Sequence, residues 1–343
     1  MRGFLNEMVK PVINITADSG IPLIGSVGFG LIDRGTNVIQ VRPTSICPLS
    51  CIFCSTDAGP KSHRRAVEYM VELDYLIGEF RRLVKFKGCR HIEAHIDTVG
   101  DPLTYPKLPE LCQALKETPN VEVVSLQTHG FLLTEKLVDD LEAAGLTRIN
   151  LSIDSLNPDK AKMLSGTESY DVDKVVEMAK YIAGSRVDLL LAPVWVPGIN
   201  DEDIEKIIRL ALEIKAGKHA PPLGIQKMLT HKHGRKPKGV KPMSWKAFYE
   251  RLRSLENIYK VKLVLSPEDF GIYKCRGLPL AFHKLEKVWV DVVSLGLFRG
   301  EKLGVARGRV LTVVDADEAP IGSKIKVRVL RVKDNIYMAR FEP

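Results

Sequence analysis

The stretch CPLSCIFC, residues 47–54, places three of the chain's six cysteines within eight positions. Cys89, Cys112 and Cys275 lie far from it and from one another. A disulfide would use two of the clustered thiols and leave the third over. A zinc site usually takes four ligands, often as two separated pairs. Three thiolates on one short loop suit a metal cluster that keeps a coordination position open. Cys-x3-Cys-x2-Cys supplies three ligands, Cys47, Cys51 and Cys54, to a [4Fe–4S] cluster and leaves one iron without a protein ligand. The alternative is zinc with a distant fourth ligand such as His63.

The loop follows NVIQVRP (37–43), the first of a series of β-branched or apolar runs. The others are HIEAHID (91–97), VEVVSLQ (121–127), RINLSID (148–154), VDLLLAPVWV (187–196), GIQKML (224–229) and VKLVLS (261–266). Amphipathic segments such as YPKLPELCQALKET, TEKLVDDLEAAGL, VDKVVEMAKYIAG and NDEDIEKIIRLALEIK separate them. Strands alternating with helices predict an α/β fold with a parallel sheet. Residues 37–268 are read as a partial or full (β/α) barrel, with a doubly wound open sheet as the competitor. In a barrel the active site lies at the C-terminal ends of the strands, where the 47–54 loop falls. Residues 1–36 then form an N-terminal extension and 269–284 a connector. From 285 to 343 short alternating strands and turn signals replace helices, the pattern of a small all-β, OB-like barrel that forms an independent module.

Composition narrows the function classes. The chain has 343 residues, 45% hydrophobic and 27% charged, with a formal net charge of +8. No run approaches the roughly 20 apolar residues of a membrane span, and the first residues lack the apolar core of a secretory signal. Cysteines spaced for a metal and not for a disulfide framework fit a reducing cytoplasm. The positive balance points to a polyanionic partner, nucleic acid first, or to a merely basic enzyme.

The motif CxxxCΦxC, with Phe53 at the aromatic position, resembles that of the radical S-adenosylmethionine (SAM) superfamily, and the resemblance covers most of the chain. It implies a cluster bound by Cys47, Cys51 and Cys54 whose open iron chelates SAM. One electron, from a donor such as a ferredoxin or flavodoxin, then yields a 5′-deoxyadenosyl radical. DTVGDPLTYPKLPEL resembles the family's glycine-glycine-glutamate segment, with Val99, Gly100 and Asp101 in place of the usual triplet and the backbone receiving the methionine amino group. QTHGFLLTEKLVDDLEAAGLTRINLSIDS resembles the third and fourth strands, which puts Ser152 and Asp154 near the ribose. APVWVPGINDEDIEKII and LGIQKML resemble the fifth and sixth, with Val194, Met228 and Leu229 near the adenine and Phe53 beside the bound group. Asn200 and Asp201 are expected to cap the next helix.

KVWVDVVSLGLFRGEKLGVARGRVLTVVDADEAPIGSKIKVRVLRVKDNIYMARFEP resembles the TRAM domain, a small RNA-binding barrel, so the whole is similar to archaeal-type Fe–S oxidoreductases that carry it. RNA contacts are assigned to Arg299, Lys302, Arg307 and Arg309, with Phe298 exposed and with Trp289 and Tyr337 as possible core residues. The basic run KMLTHKHGRKPKGVK (227–241) adds Lys232, Arg235, Lys236 and Lys238 as phosphate contacts at the cavity mouth. RNA modification, of tRNA in the first place, is the implied function. A radical enzyme acting on a peptide or small molecule, with the barrel as scaffold, is the alternative. Ordinary methylthiolation is disfavoured because residues 1–36 hold no cysteine for a second cluster. Cys112 reads as a buried hydrophobe and Cys89 as remote from the chemistry. That leaves Cys275 as the candidate catalytic thiol.

Overall fold

The computed structural model describes residues 10–342; the first nine residues of the expected extension lie outside them. Strands β1 (Val12–Ile15), β2 (Gly30–Asp33), β3 (Val38–Arg42) and β4 (Glu68–Val71) precede helix α1 (Leu73–Lys87). Then come β5 (Ile92–Ile96), α2 (Leu108–Lys116), β6 (Val121–Thr128), α3 (Glu135–Ala143) and β7 (Arg148–Leu151). Helices α4 (Pro158–Ser165) and α5 (Val172–Gly184) lead to β8 (Asp188–Leu191), β9 (Val194–Trp195), α6 (Asp201–Glu213), β10 (Gln226–Lys227) and α7 (Trp245–Tyr259).

The main sheet has six strands in the order β2-β3-β5-β6-β7-β8. All neighbours are parallel except β2, which runs antiparallel to β3. The short parallel pair β9–β10 continues it through a Leu191–Leu223 bridge. The result is a part-barrel. Its strands alternate strictly. Ile39, Val41, Ile92, Ala94, Ile96, Leu126, Ile149 and Leu151 are buried in the apolar core beneath the helices. Gln40, Arg42, Glu93, His95, Ser125, Gln127 and Arg148 share the opposite, inner face, where Glu93, His95, Ser125 and Arg148 bond to one another, Gln40 and Arg42 to Asp97, and Gln127 to Ser152. A parallel sheet buried on both sides would be apolar on both; the polar inner row marks a lumen.

Two boundaries move. β2 belongs to the sheet, so the fold begins before residue 37. No strand forms over 261–266. There the amides of Leu263 and Val264 donate to the Glu256 carboxylate, at 2.7 and 2.8 Å, instead of to a neighbouring strand.

The C-terminal strands β11 (Lys287–Leu295), β12 (Lys302–Ala306), β13 (Arg309–Val314), β14 (Lys324–Arg331) and β15 (Met338–Phe341) close into a five-stranded barrel in the order β11-β12-β13-β15-β14. Its interior holds Val290, Leu311, Val327 and Tyr337, together with Phe282 from the preceding connector. The barrel is not an independent module as the sequence suggested. Leu297, Phe298, Leu303 and Val310 pack into the core of the larger unit. Val310 N donates to Ile24 O and Tyr337 N to Gly25 O, at 3.0 and 2.9 Å. No helix among the described residues is long and apolar enough to cross a membrane.

Candidate active site

Cys47, Cys51 and Cys54 lie on the loop after β3 and line one cavity of about 610 Å³ at the C-terminal ends of the strands. Two arginines hold that loop. Arg65, 1% exposed, donates to Ser45 O before the motif and to Thr56 O after it, at 2.7 and 3.0 Å. It also reaches Val99 O and pairs with Glu68 at 2.8 Å. Arg235 donates its amide to Cys54 O (2.8 Å) and its guanidinium to Cys51 O (3.1 Å) and Ala58 O (2.6 Å). Its Nε pairs with Asp57 at 2.8 Å.

Burial pushes the Cys47 thiol far up, Asp101 adding to the effect, and burial with the neighbouring thiols does the same to Cys51. Cys47 and Cys51 become thiolates beside Cys54 only when a cation compensates them, which is what cluster iron would do. Among the described residues no three His, Cys, Asp or Glu side chains converge to hold a single metal ion. His63 is exposed and does not line the cavity, so it is not placed to be the fourth zinc ligand.

Phe53, Val99, Gly100, Asp101, Ser152, Val194, Met228 and Leu229 line the same cavity. Asp154 stands behind it, accepting from Val194 N at 2.8 Å with His129 at 3.7 Å. The Asp101 carboxylate is turned inward, onto Leu103 N, Thr128 Oγ1 and His129 N. Its side chain therefore fastens the end of β6, and only its backbone is left to serve a ligand. Asn200 does not cap α6; its amide bridges Val196 N, Asp154 O and Val194 O.

Gly100 is needed for close approach. A Cβ there would lie 2.2 Å from Ile46 O and 2.3 Å from Ser45 O, on the backbone leading into Cys47. Gly100→Ala is therefore expected to displace the cluster loop and lower iron well below the about four per chain of a full cluster. Iron analysis after anaerobic reconstitution checks this; a fully loaded variant that cleaves SAM normally would remove Gly100 from the site.

Cavity residues not anticipated from sequence include Arg42, His95, Asp97, Gln127 and His129. The signal was present. HIEAHID carries a polar residue at every second position, and VEVVSLQ does so at Ser125 and Gln127.

Several expected placements are corrected. Cys275 sits at the other end of the sheet, its amide on Gly35 O just before β3 and its Sγ 3.1 Å from that of Cys89. Burial and the Cys89 thiol push it up to about 11, away from a nucleophilic thiolate, and it lines no part of the cavity. Arg235 is committed to the cluster loop and is not free for phosphate. Arg307 is committed too, pairing with Glu286 at 2.6 Å and lying 5.1 Å over Phe282. Lys232, Lys236, Lys238 and Arg299 are exposed, while Lys302 and Arg309 are half-buried. Phe298 is buried and stacks on His233 at 4.5 Å; Tyr337 is core and Trp289 is exposed.

A part-barrel with three thiols on the loop after its first parallel strand, facing a small-molecule cavity, defines an iron–sulfur enzyme of the cofactor-cleaving type. Residues 41–211 match the Radical SAM superfamily. Uncharacterized protein MJ0103 of Methanocaldococcus jannaschii is 43% identical over 339 residues, covering 93% of this chain and 78% of the relative. The GTP 3',8-cyclase of Chlorobaculum tepidum is 28% identical over 183 residues, 52% of this chain and 51% of the cyclase. The match thus spans about half the length of that enzyme. Methylornithine synthase (PylB) shares the fold, with a TM-score of 0.50 and 14% identity over 65% of this chain and 63% of its own. The chain belongs to the radical SAM superfamily, and its cofactors are a [4Fe–4S] cluster and S-adenosylmethionine.

Proposed function

We propose that this enzyme modifies a nucleoside within RNA, most directly tRNA. The bound cluster and SAM supply a 5′-deoxyadenosyl radical, with the electron from a ferredoxin or flavodoxin. The chain's own residues hold the cluster loop rigid, shape the cavity and bring the target nucleoside to it. The observation that carries the RNA reading is Trp289, 57% exposed in the middle of β11 on a closed small barrel. Its cross-strand neighbour is Lys326, and exposed Lys324 lies on the same strand, while Lys287 is paired with Glu342 at 3.2 Å. An exposed aromatic among cations suits a base stacked on the ring with its phosphates on the lysines. In this reading the TRAM-like contact lies on the β11–β14 face and not at Arg307. Exposed Lys232, Lys236 and Lys238 lead toward the cavity.

Trp289→Ala is expected to weaken binding of bulk tRNA by about tenfold, in line with about 1–3 kcal/mol per stacked base. Lys326→Ala should lower the salt dependence of binding by about one unit per lost phosphate contact. Unchanged, salt-insensitive affinity in both variants would remove RNA as the partner. Point substitutions serve better than deletion, because deletion also strips Leu297, Phe298 and Val310 from the main core. A free purine nucleotide is the second reading, favoured by the similarity to GTP 3',8-cyclases.

A further inference from the structure

We propose that His95 is a preset proton acceptor, its Nε2 taking a proton from an N–H or O–H group of the nucleoside bound in the cavity. The substrate class rests on the RNA reading above; the acceptor itself rests on a hydrogen-bond chain in the lumen. His95 lines the cavity from β5. Its Nδ1 lies 2.7 Å from Ser125 Oγ, and Ser125 Oγ lies 2.5 Å from Glu93 Oε1. Glu93 in turn pairs with Arg148.

The direction of these bonds follows from counting protons. A carboxylate paired with a guanidinium only accepts, so the single Ser125 proton goes to Glu93. Ser125 Oγ is then left as an acceptor, and His95 Nδ1 must carry the hydrogen between them. Neutral imidazole has one N–H, so Nε2 keeps its lone pair. Among the described residues Nε2 has no hydrogen-bond partner and is not a sealed, unsatisfied atom. It is open to the cavity.

Burial lowers the His95 pKa and keeps the ring neutral. Asp97 and Glu93 oppose that shift, while Arg148 and Arg42 support it. In the transfer, the substrate N–H or O–H bond breaks, its electron pair stays on the substrate, and an Nε2–H bond forms. The imidazolium produced keeps its Nδ1–H on Ser125, with Glu93 behind it. Ser125 and Glu93 are positioning residues, an arrangement that orients a base through its second nitrogen. Next to it, Arg42 and Gln40 hold Asp97 at 3.0 and 2.7 Å, a fixed donor and acceptor pair against which a polar heterocycle can be read.

Two measurements decide the assignment. Nitrogen-15 NMR of the full chain labelled at histidine, before cluster loading, should show one ring protonated at Nδ1 and bare at Nε2, titrating below the ordinary value near 6.5. Ser125→Ala, which leaves the imidazole in place, should move that ring toward the Nε2–H tautomer. In the loaded enzyme with bulk tRNA, His95→Gln should lower nucleoside modification about 100-fold or more. Wild-type modification should fall only as the pH drops below the lowered His95 value, because the acceptor must be neutral. An Nε2–H tautomer in the wild type, or His95→Gln modifying RNA at the wild-type rate, overturns the proposal. An Nδ1–H tautomer with no RNA product from the wild type overturns the RNA reading instead and supports an acceptor for another N–H or O–H substrate.

Discussion

Replacing Arg65 by methionine is expected to cost about 3–5 kcal/mol of stability, the range for breaking a buried ion pair from one side. The guanidinium is 1% exposed and Glu68 7%, so the substitution strands a carboxylate out of water. It also removes donors from Ser45 O, Thr56 O, Thr56 Oγ1 and Val99 O, which join the two ends of the cysteine loop to the segment before Gly100. Urea unfolding of the full chain measures the loss. Pairing the change with Glu68→Leu should recover part of it, because no orphan charge then remains. A single-variant loss below about 1 kcal/mol would mean that Arg65 is not desolvated as described.

Serine at Cys47, Cys51 or Cys54 is expected to bring iron from about four per chain to nearly none. A cluster that already lacks one protein ligand cannot be held by two thiolates. Burial also favours the neutral thiol at Cys47 and at Cys51 where no cation offsets the charge. Iron analysis and the visible absorption of anaerobically reconstituted variants provide the measurement. Stoichiometric zinc in anaerobically purified wild type, without an iron-dependent spectrum, would instead restore the zinc reading.

Some of this was legible in residue order and some was not. CPLSCIFC carries its chemistry in spacing alone, because three ligands on one loop need no distant partner to be recognised. Segments such as VDKVVEMAKYIAG appear as α5 over the same residues, since their apolar stripe is local. VKLVLS has strand composition but no strand, because Glu256 takes two of its amides. β2 escaped notice because its partner β3 is recognised only once the sheet is assembled.

Sequence by itself determined the class of fold, and it marked the three clustered cysteines and the glycine-bearing segment at 99–101 that the structure brings to one cavity, all written in short-range pattern. Only tertiary structure decided what each charged or reactive side chain faces. Arg235, in a run of basic residues indistinguishable from a phosphate-binding loop, closes onto carbonyls of Cys51 and Cys54 from more than 180 positions away. Cys275, a plausible lone thiol in sequence, lies against Cys89 at the floor of the sheet. His95 reads as one polar residue in a strand until Ser125, on the neighbouring strand β6, links it to Glu93. The physical reason is the same in each case. Hydrogen bonds and ion pairs act over about 3 Å, so a side chain's role depends on partners that chain folding, and not chain order, brings within reach.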